Sequence, residues 1–518
     1  MICRARFNLA ANRVNADETK SPAAFSGAQE RKIILLLCCL AAIHVFIFSA
    51  VFPPINNCDE QAHFDLAVKY SHGHLPRTLE PISREAMQYI VIYGSQEYLW
   101  PPETFPDGKI PPPPWTQPLE KIAPILLARE AQWQSANHET SQPPLYYALA
   151  GLWWRIGGWC GFENGHLFYW LRFLNVVLIA TLVWLGYAAA RTIFPENLFL
   201  RLGVPALLAF IPQTAFYSIQ NSGLSSVCFG AAFICLARLL RTDAPTIRLA
   251  AAAGLALAAT YLTKAVNIPL IAIAVAMVSL KILRLAKTKK LRATLPALAA
   301  LTLCAGIPTG LWMIWCERHF GDLTGSTVNI QFAGVTSRPF WDWWHHPIFT
   351  AHGAWTFVSD LLSHFWQGEF LWHNHPMTFP AAVAIYAMSS IGLVGLAAVN
   401  LCLKRTPPAV AERQMLWFCF ACFCALVAFW GFQSVIHSYD HSPNPTPEYP
   451  YFATGRYLLG VLIPFLLLFV YGLDRALSFT TSRWPRWLAL VGMLSFMLIS
   501  EIAVDWPVFS SPFNWFHM

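Results

Sequence analysis

The chain has 518 residues, of which 56% are hydrophobic and only 12% charged. A soluble globular domain carries about 25% charged residues, so this composition excludes one and marks a polytopic membrane protein. The net charge of +7 is no nucleic-acid signal, because the basic residues sit in short loops between apolar runs, as the positive-inside rule expects.

In chain order, residues 1–32 are polar and of mixed charge, and are expected to form a cytoplasmic tail. The first apolar run, 33–52, has no small-residue cleavage site after it and reads as a retained span. Further spans are expected at 168–190, 202–219, 224–240, 249–263, 266–283, 294–315, 380–403, 415–436, 457–473 and 487–504; about 20 apolar residues cross a bilayer. The basic stretches at 191–201, 241–248, 281–292, 404–413 and 474–486 then share one side with Arg31 and Lys32. This parity leaves 143–159, which opens on Pro143-Pro144, with both ends outside. It reads as a re-entrant or surface-lying helix; the alternative is a true span that violates the charge rule.

The expected fold is an all-α polytopic membrane protein with about 11–12 transmembrane helices and long outer loops carrying juxtamembrane helices. A transmembrane module at 33–315 holds the first outer loop, 53–142. A second long outer loop covers 316–379. The C-terminal helices, 380–518, enclose a third outer loop at 437–456. The first loop is proline-rich, with Pro111 to Pro114 in a row; the second carries Trp341, Trp343, Trp344, Trp355, Trp366 and Trp372. Trp favours the membrane interface, so much of that loop is expected to rest on the bilayer. The inverted halves of many transporters are not evident.

Most of the 13 cysteines lie in apolar runs, where they act as small hydrophobes. Cys419-x-x-Cys422-x-Cys424 lacks a second ligand pair at zinc spacing. Cys58, Cys160 and Cys316 fall on the outer side, and spacing does not reveal their pairing.

Polar residues gather at the outer ends of the spans. Asp59, Glu60 and His63 follow the first span, and acids there are costly unless they do something. His138, Glu139 and Gln142 precede Pro143-Pro144-Leu145-Tyr146-Tyr147. Gln220 and Asn221 lie between two spans, Lys264 interrupts an apolar stretch, and Arg456-Tyr457 opens a late span. A carboxylate suits a general base; Arg and Lys suit a phosphate, as a fork and a point charge. Each residue also has a plainer reading. Asp59 and Glu60 could cap a loop helix, Lys264 could snorkel, and Arg456 could pair with Glu448 or a lipid. Arg172 and Asn175 could anchor a span end. The pairs His345-His346 and His373-x-His375 could hold a metal, but no third ligand is in register.

Several pieces together resemble the glycosyltransferase-C superfamily of membrane enzymes, and more closely a bacterial membrane family placed within it. They are Cys58-Asp59-Glu60-Gln61-Ala62-His63-Phe64, Gly73-His74-Leu75-Pro76, Gln142-Pro143-Pro144-Leu145-Tyr146-Tyr147, Leu262-Thr263-Lys264, Phe365-Trp366 and Gly455-Arg456-Tyr457. The resemblance implies a multi-pass enzyme of the bacterial inner membrane that works on the extracytoplasmic side. Its donor would be a polyprenyl-phosphate-linked sugar and its acceptor a lipid or glycan, the glycosyl bond inverting. It implies Asp59 as catalytic base, with Glu60 and His63 supporting it or binding the acceptor, and Lys264, Arg456 and Tyr457 at the donor phosphate. His138, Glu139, Gln142, Tyr146, Gln220 and Asn221 would line the substrate site. No cofactor is required, although Asp59, Glu60 and His63 could hold a divalent cation. Two departures stand out: Thr454 replaces a frequent Gln, and Gln220-Asn221-Ser222-Gly223 lacks an acid. The competing readings are a transporter or flippase of a lipid-linked saccharide, and a non-catalytic assembly subunit.

Overall fold

The computed structural model describes residues 27–132, 136–288, 291–403, 408–442, 444–478, 482 and 484–518. The expected cytoplasmic tail lies outside the described residues up to residue 26, as do parts of three basic stretches.

The chain opens with α1 (Gly27–Val51), which ends where Pro53 and Pro54 withdraw two backbone donors. The first long loop folds into α2 (Glu60–Ser71), α3 (Arg84–Tyr93) and α4 (Leu119–Gln132), and α5 (Leu145–Trp159) follows. Then come α6 (Asn164–Arg172), α7 (Leu174–Ile193), α8 (Leu198–Ala209), α9 (Ser222–Arg241), α10 (Ile247–Thr263), α11 (Ile268–Lys287) and α12 (Leu291–Phe320). The second loop holds α13 (Ser326–Phe332) and α14 (Ala351–Gln367). The chain closes with α15 (Pro380–Cys402), α16 (Val410–Ile436), a 3₁₀ stretch at Gly455–Val461, α17 (Leu462–Ala476) and α18 (Trp484–Asp505).

Nine helical segments among the described residues are long and apolar enough to cross a membrane, and α8 and α10 are shorter apolar helices. Nine and two make eleven apolar segments, in keeping with the all-α polytopic expectation. Their burial differs sharply. The segment ending in α17 is 89% buried, whereas α12 is 17% buried. A helix apolar on all sides belongs either in a core or against lipid, and these two illustrate the two cases.

One expected span is not continuous. Residues 202–219 were expected as one helix, but α8 stops at Ala209 and irregular backbone runs to Asn221, with a single 3₁₀ turn at Thr214–Phe216. Pro212 supplies the reason: it has no N–H and its ring clashes with the preceding turn. Such backbone survives at this depth because protein encloses it; residues 211–226 are all buried.

The three long loops interlock on one side of the bundle. Asn57 clamps the second loop, its Nδ2 donating to Glu369 O (3.0 Å) and its Oδ1 accepting from Leu371 N (2.9 Å). Thr336–Ser337 pairs antiparallel with His437–Ser438, joining the second loop to the third. Ser141 Oγ donates to Gly325 O at 2.7 Å. The C-terminal segment arrives on the same side, where Tyr169 OH reaches Phe513 O. α5 belongs to this layer. Tyr147 meets His63, and Gly151 lies so close to Ser71 N that a Cβ would stand 2.7 Å from it. So α5 rests along a loop helix, on the loop side of the spans. Cys58, Cys160 and Cys316 are all free thiols, and Cys419 and Cys422 are buried in the helical core.

Candidate functional site

The site starts from two carboxylates that adjoin in sequence and separate in space. Asp59 stands at the N-cap of α2 with left-handed backbone (φ 62°, ψ 18°), a conformation Asp tolerates better than most residues. Its side chain makes no cap hydrogen bond. It turns instead to Arg456, whose Nη2 lies 2.6 Å from Asp59 Oδ2 while Nη1 donates to Cys58 O at 2.9 Å. Nearly a third of the Asp59 side chain remains exposed (32%).

Glu60 points the other way and is wholly buried. Its Oε2 accepts from Ile55 N (2.9 Å), Asn56 N (3.1 Å), Asn56 Nδ2 (2.9 Å) and Arg172 Nη2 (2.6 Å). Its Oε1 accepts from Arg172 Nε (2.7 Å) and Ile219 N (2.9 Å). Two carboxylate oxygens offer about four lone-pair sites, so Glu60 has nothing left for a substrate. The expectation of Glu60 in the catalytic group is therefore corrected: it ties α1, α2, α6 and the broken segment after α8 together. Arg172, read from sequence as a span anchor, is the other half of this knot and also donates to Phe52 O and Pro53 O.

Around Asp59 the other expected residues fall into place unevenly. His138 Nε2 lies 3.6 Å from Asp59 Oδ1 and 3.5 Å from Glu139 Oε1. Glu139 Oε2 accepts from Tyr147 OH (3.2 Å), which also meets His63 Nδ1 (2.8 Å). Burial favours the charged-off form of Asp59, but the Arg456 guanidinium and the His138 ring outweigh it and hold the carboxyl well below the usual carboxylate range. Burial likewise opposes charge on His138, yet the hydrogen bond to Asp59 and the Glu139 charge raise it above the ordinary histidine value. His63 is pushed down to about 4 by burial, with the Glu139 and Asp59 charges insufficient to reverse it.

The cations arrive from the far half of the chain. Lys264, in extended backbone between α10 and α11, donates to Ser222 Oγ at 2.7 Å and lies 4.7 Å above the Tyr457 ring. Among the described residues no carboxylate pairs with it. Arg456 lies 5.6 Å from the same ring, and Trp430 stacks on it at 4.5 Å. Tyr457 thus links both cations to α16. Gly455 explains how Arg456 gets there: a Cβ at 455 would collide with the backbone of His364 and Phe365 in α14, so only glycine allows this approach.

The remaining expected residues sit behind this front. Gln142 N donates to Glu139 O, which closes the turn that presents His138 and Glu139. Tyr146 is buried, with no free surface to offer. Gln220 donates to Ser218 Oγ, while both amide atoms of Asn221 are buried without a partner. His345 is exposed beside Asp342, His346 bonds Pro450 O, and neither histidine pair joins a metal-capable group among the described residues. Sequence reasoning quoted Tyr147 and Ser222 only as parts of longer motifs, gave them no role, and missed Trp430, since aromatic and hydroxyl types carry no signal apart from their neighbours.

Among the described residues, one group has the ligand atoms to hold a divalent cation. Asp59, His138 and Glu139 each offer a ligand atom, all within 4.8 Å of one another, as N/O ligands of one ion require. This replaces the expected set of Asp59, Glu60 and His63, because Glu60 is saturated and His63 faces Tyr147.

A family model described as Predicted membrane protein (DUF2142) matches residues 42–437, most of the chain. The chain belongs to this family. In this DUF2142 protein the match takes in Asp59, His138, Glu139 and Lys264 and stops short of Arg456. None of the curated proteins matches it. Among solved structures it is similar to ArnT from Cupriavidus metallidurans bound to undecaprenyl phosphate, at 10% identity and a TM-score of 0.43, over 93% of this chain and 74% of that one. It is similar also to the archaeal oligosaccharyltransferase AglB from Archaeoglobus fulgidus in complex with an inhibitory peptide and a dolichol-phosphate, at 11% identity and a TM-score of 0.43, over 93% and 56%. An Archaeoglobus fulgidus oligosaccharyltransferase in complex with Zn and sulfate shows 13% identity and a TM-score of 0.40, over 92% and 52%. This chain thus spans just over half the length of the two oligosaccharyltransferase chains.

Proposed function

We propose that this protein is a membrane glycosyltransferase that moves a sugar from a polyprenyl-phosphate-linked donor to the hydroxyl of a lipid or glycan acceptor, with inversion. The observation that carries this reading is the meeting of the partly exposed Asp59 with Arg456 and the buried Lys264, at the junction of three loops on one side of the bundle. A hydroxyl is a poor nucleophile without a base, and a departing phosphate needs fixed positive charge where its own charge develops. The cluster supplies both. Asp59 takes the acceptor proton as the acceptor oxygen bonds to the sugar's anomeric carbon. The bond from that carbon to the phosphate oxygen breaks with its electron pair, and polyprenyl phosphate leaves against Lys264 and Arg456. Tyr457 spaces the two cations, and His138 steadies the Asp59 carboxylate. A divalent cation held by Asp59, His138 and Glu139 would supply a further fixed positive charge.

The sequence resemblance to the glycosyltransferase-C superfamily supports the same reading. It also implies that the loop side faces outward from the bacterial inner membrane. The test is sugar transfer or release from a panel of polyprenyl-phosphate sugars by the purified chain in lipid, wild type beside Asp59→Asn. Turnover that disappears in a folded Asp59→Asn protein supports the reading. Turnover that survives removes Asp59 as the base. No turnover with any donor, together with donor movement across the bilayer, favours the flippase.

A further inference from the structure

Resting on that reading, we propose that the Asp59–Arg456 ion pair is a latch that the donor's phosphate opens, so that the donor creates the base. Two positive groups face the proposed phosphate, and they are not equivalent. Among the described residues, Lys264 makes a hydrogen bond to a hydroxyl and lies over an aromatic face, with no ion pair at contact distance. Arg456 has both ends of its fork engaged, one by the Cys58 carbonyl and the other by Asp59. The guanidinium has donors to spare, so a phosphate can reach Arg456, but on the face Asp59 occupies it competes with that carboxylate for the same positive charge. The Cys58 carbonyl is part of the backbone turn entering α2 and is held by that turn, since Cys58 N donates to Asn56 Oδ1 (2.8 Å). Asp59 is the partner free to move. Its side chain makes no cap bond to α2 and is nearly a third exposed. It is also the partner a phosphate repels, since two anions on one guanidinium disfavour each other.

The exchange sets an order. Without donor, the Asp59 carboxylate is spent on Arg456 and is a weak base. With the donor's phosphate on Lys264 and Arg456, the carboxylate is released toward His138 and the acceptor side. An acceptor hydroxyl is then activated only where a donor is already bound, and water in the empty site meets a neutralised carboxylate.

The test uses the full chain in nanodiscs with undecaprenyl phosphate as the probe, measuring its Kd by titration. Asp59→Asn removes the competing charge, so the probe is expected to bind about fivefold tighter than to wild type. Lys264→Ala is expected to weaken it. A double-mutant cycle adds the decisive comparison: Arg456→Lys should cost more affinity in the Asp59→Asn background, where the fork is free, than in wild type. Asp59→Ser serves in the same role should Asp59→Asn not fold. Unchanged or weaker binding in a folded Asp59 variant overturns the latch, the weaker result meaning that Asp59 helps to hold the phosphate. Failure of the probe to bind wild type, with no response to Lys264→Ala, overturns the donor reading itself and the latch with it.

Discussion

Asp59 and Glu60 share a peptide bond, but the regions they enter follow different rules. The region around Glu60 is dry and closed. Its carboxylate meets six donors, its partner Arg172 is fully buried, and four separate stretches of chain depend on the pair. The region around Asp59 is open on one side, and its second basic group, Lys264, has no carboxylate partner among the described residues. A buried, saturated ion pair stabilises through what its loss would leave behind. The Asp59–Arg456 pair keeps a partly exposed carboxylate (32%), which water can reach if the pair opens, so its carboxylate is freer to change partners. The difference teaches that satisfaction of hydrogen bonds, more than charge, separates a carboxylate locked in the fold from one still able to take a new partner.

The sharpest way to break this comparison is to exchange the fates of the two acids. Glu60→Ala leaves Arg172 buried without its partner and should cost about 3–5 kcal/mol, read as loss of folded protein in denaturation of the purified chain. Asp59→Asn should leave unfolding within about 1 kcal/mol of wild type while lowering sugar transfer by about 10²–10⁴-fold. If instead Asp59→Asn unfolds the protein and Glu60→Gln abolishes transfer in a stable one, the assignment is reversed. A smaller effect is expected at Lys264. Lys264→Ala should raise the donor KM by about tenfold or more, and Lys264→Arg should recover part of it, with stability little changed.

The smallest effect concerns His63, which lies between the two regions. Its folded value is about 4 because burial disfavours the ring's charge, against about 6.5 when unfolded. Between these values the unfolded chain binds more protons, so stability is complete above about pH 6.5 and falls as pH drops toward 4. The stability lost across that interval should be about 1–3 kcal/mol, and His63→Gln should flatten the profile there. An unaltered acid slope would mean that another group dominates it.

The all-helical, multi-pass character was legible because apolar runs of bilayer length announce themselves without reference to partners. The end of α8 was less so. Hydropathy continues past Ala209 into Phe210 and Ile211, and only Pro212 hints that the helix has stopped. The members of the candidate cluster were legible residue by residue, since Asp59, His138, Glu139, Lys264 and Arg456 were all singled out and lie near one another in the structure. What sequence could not separate was Asp59 from Glu60. Side-chain direction at a helix start depends on one left-handed residue and on Arg172, more than a hundred positions away. The same holds for the cation ligands, where Glu139 takes the place expected of Glu60 because a 3₁₀ turn at His138–Ser141 carries it beside Asp59.

The enclosure of α17 has a consequence for how the protein comes into being. Domains form in the order of synthesis, N-terminal parts first, and the most enclosed segment of this bundle is among the last to be made. Every earlier helix that packs on α17 waits for it with an incomplete inner face. Arg456 opens that same segment, so Asp59 also waits, without its cation, until the bundle has its keystone. Assembly and completion of the cluster are therefore one event: Asp59 cannot meet Arg456 before the segment ending in α17 is in place.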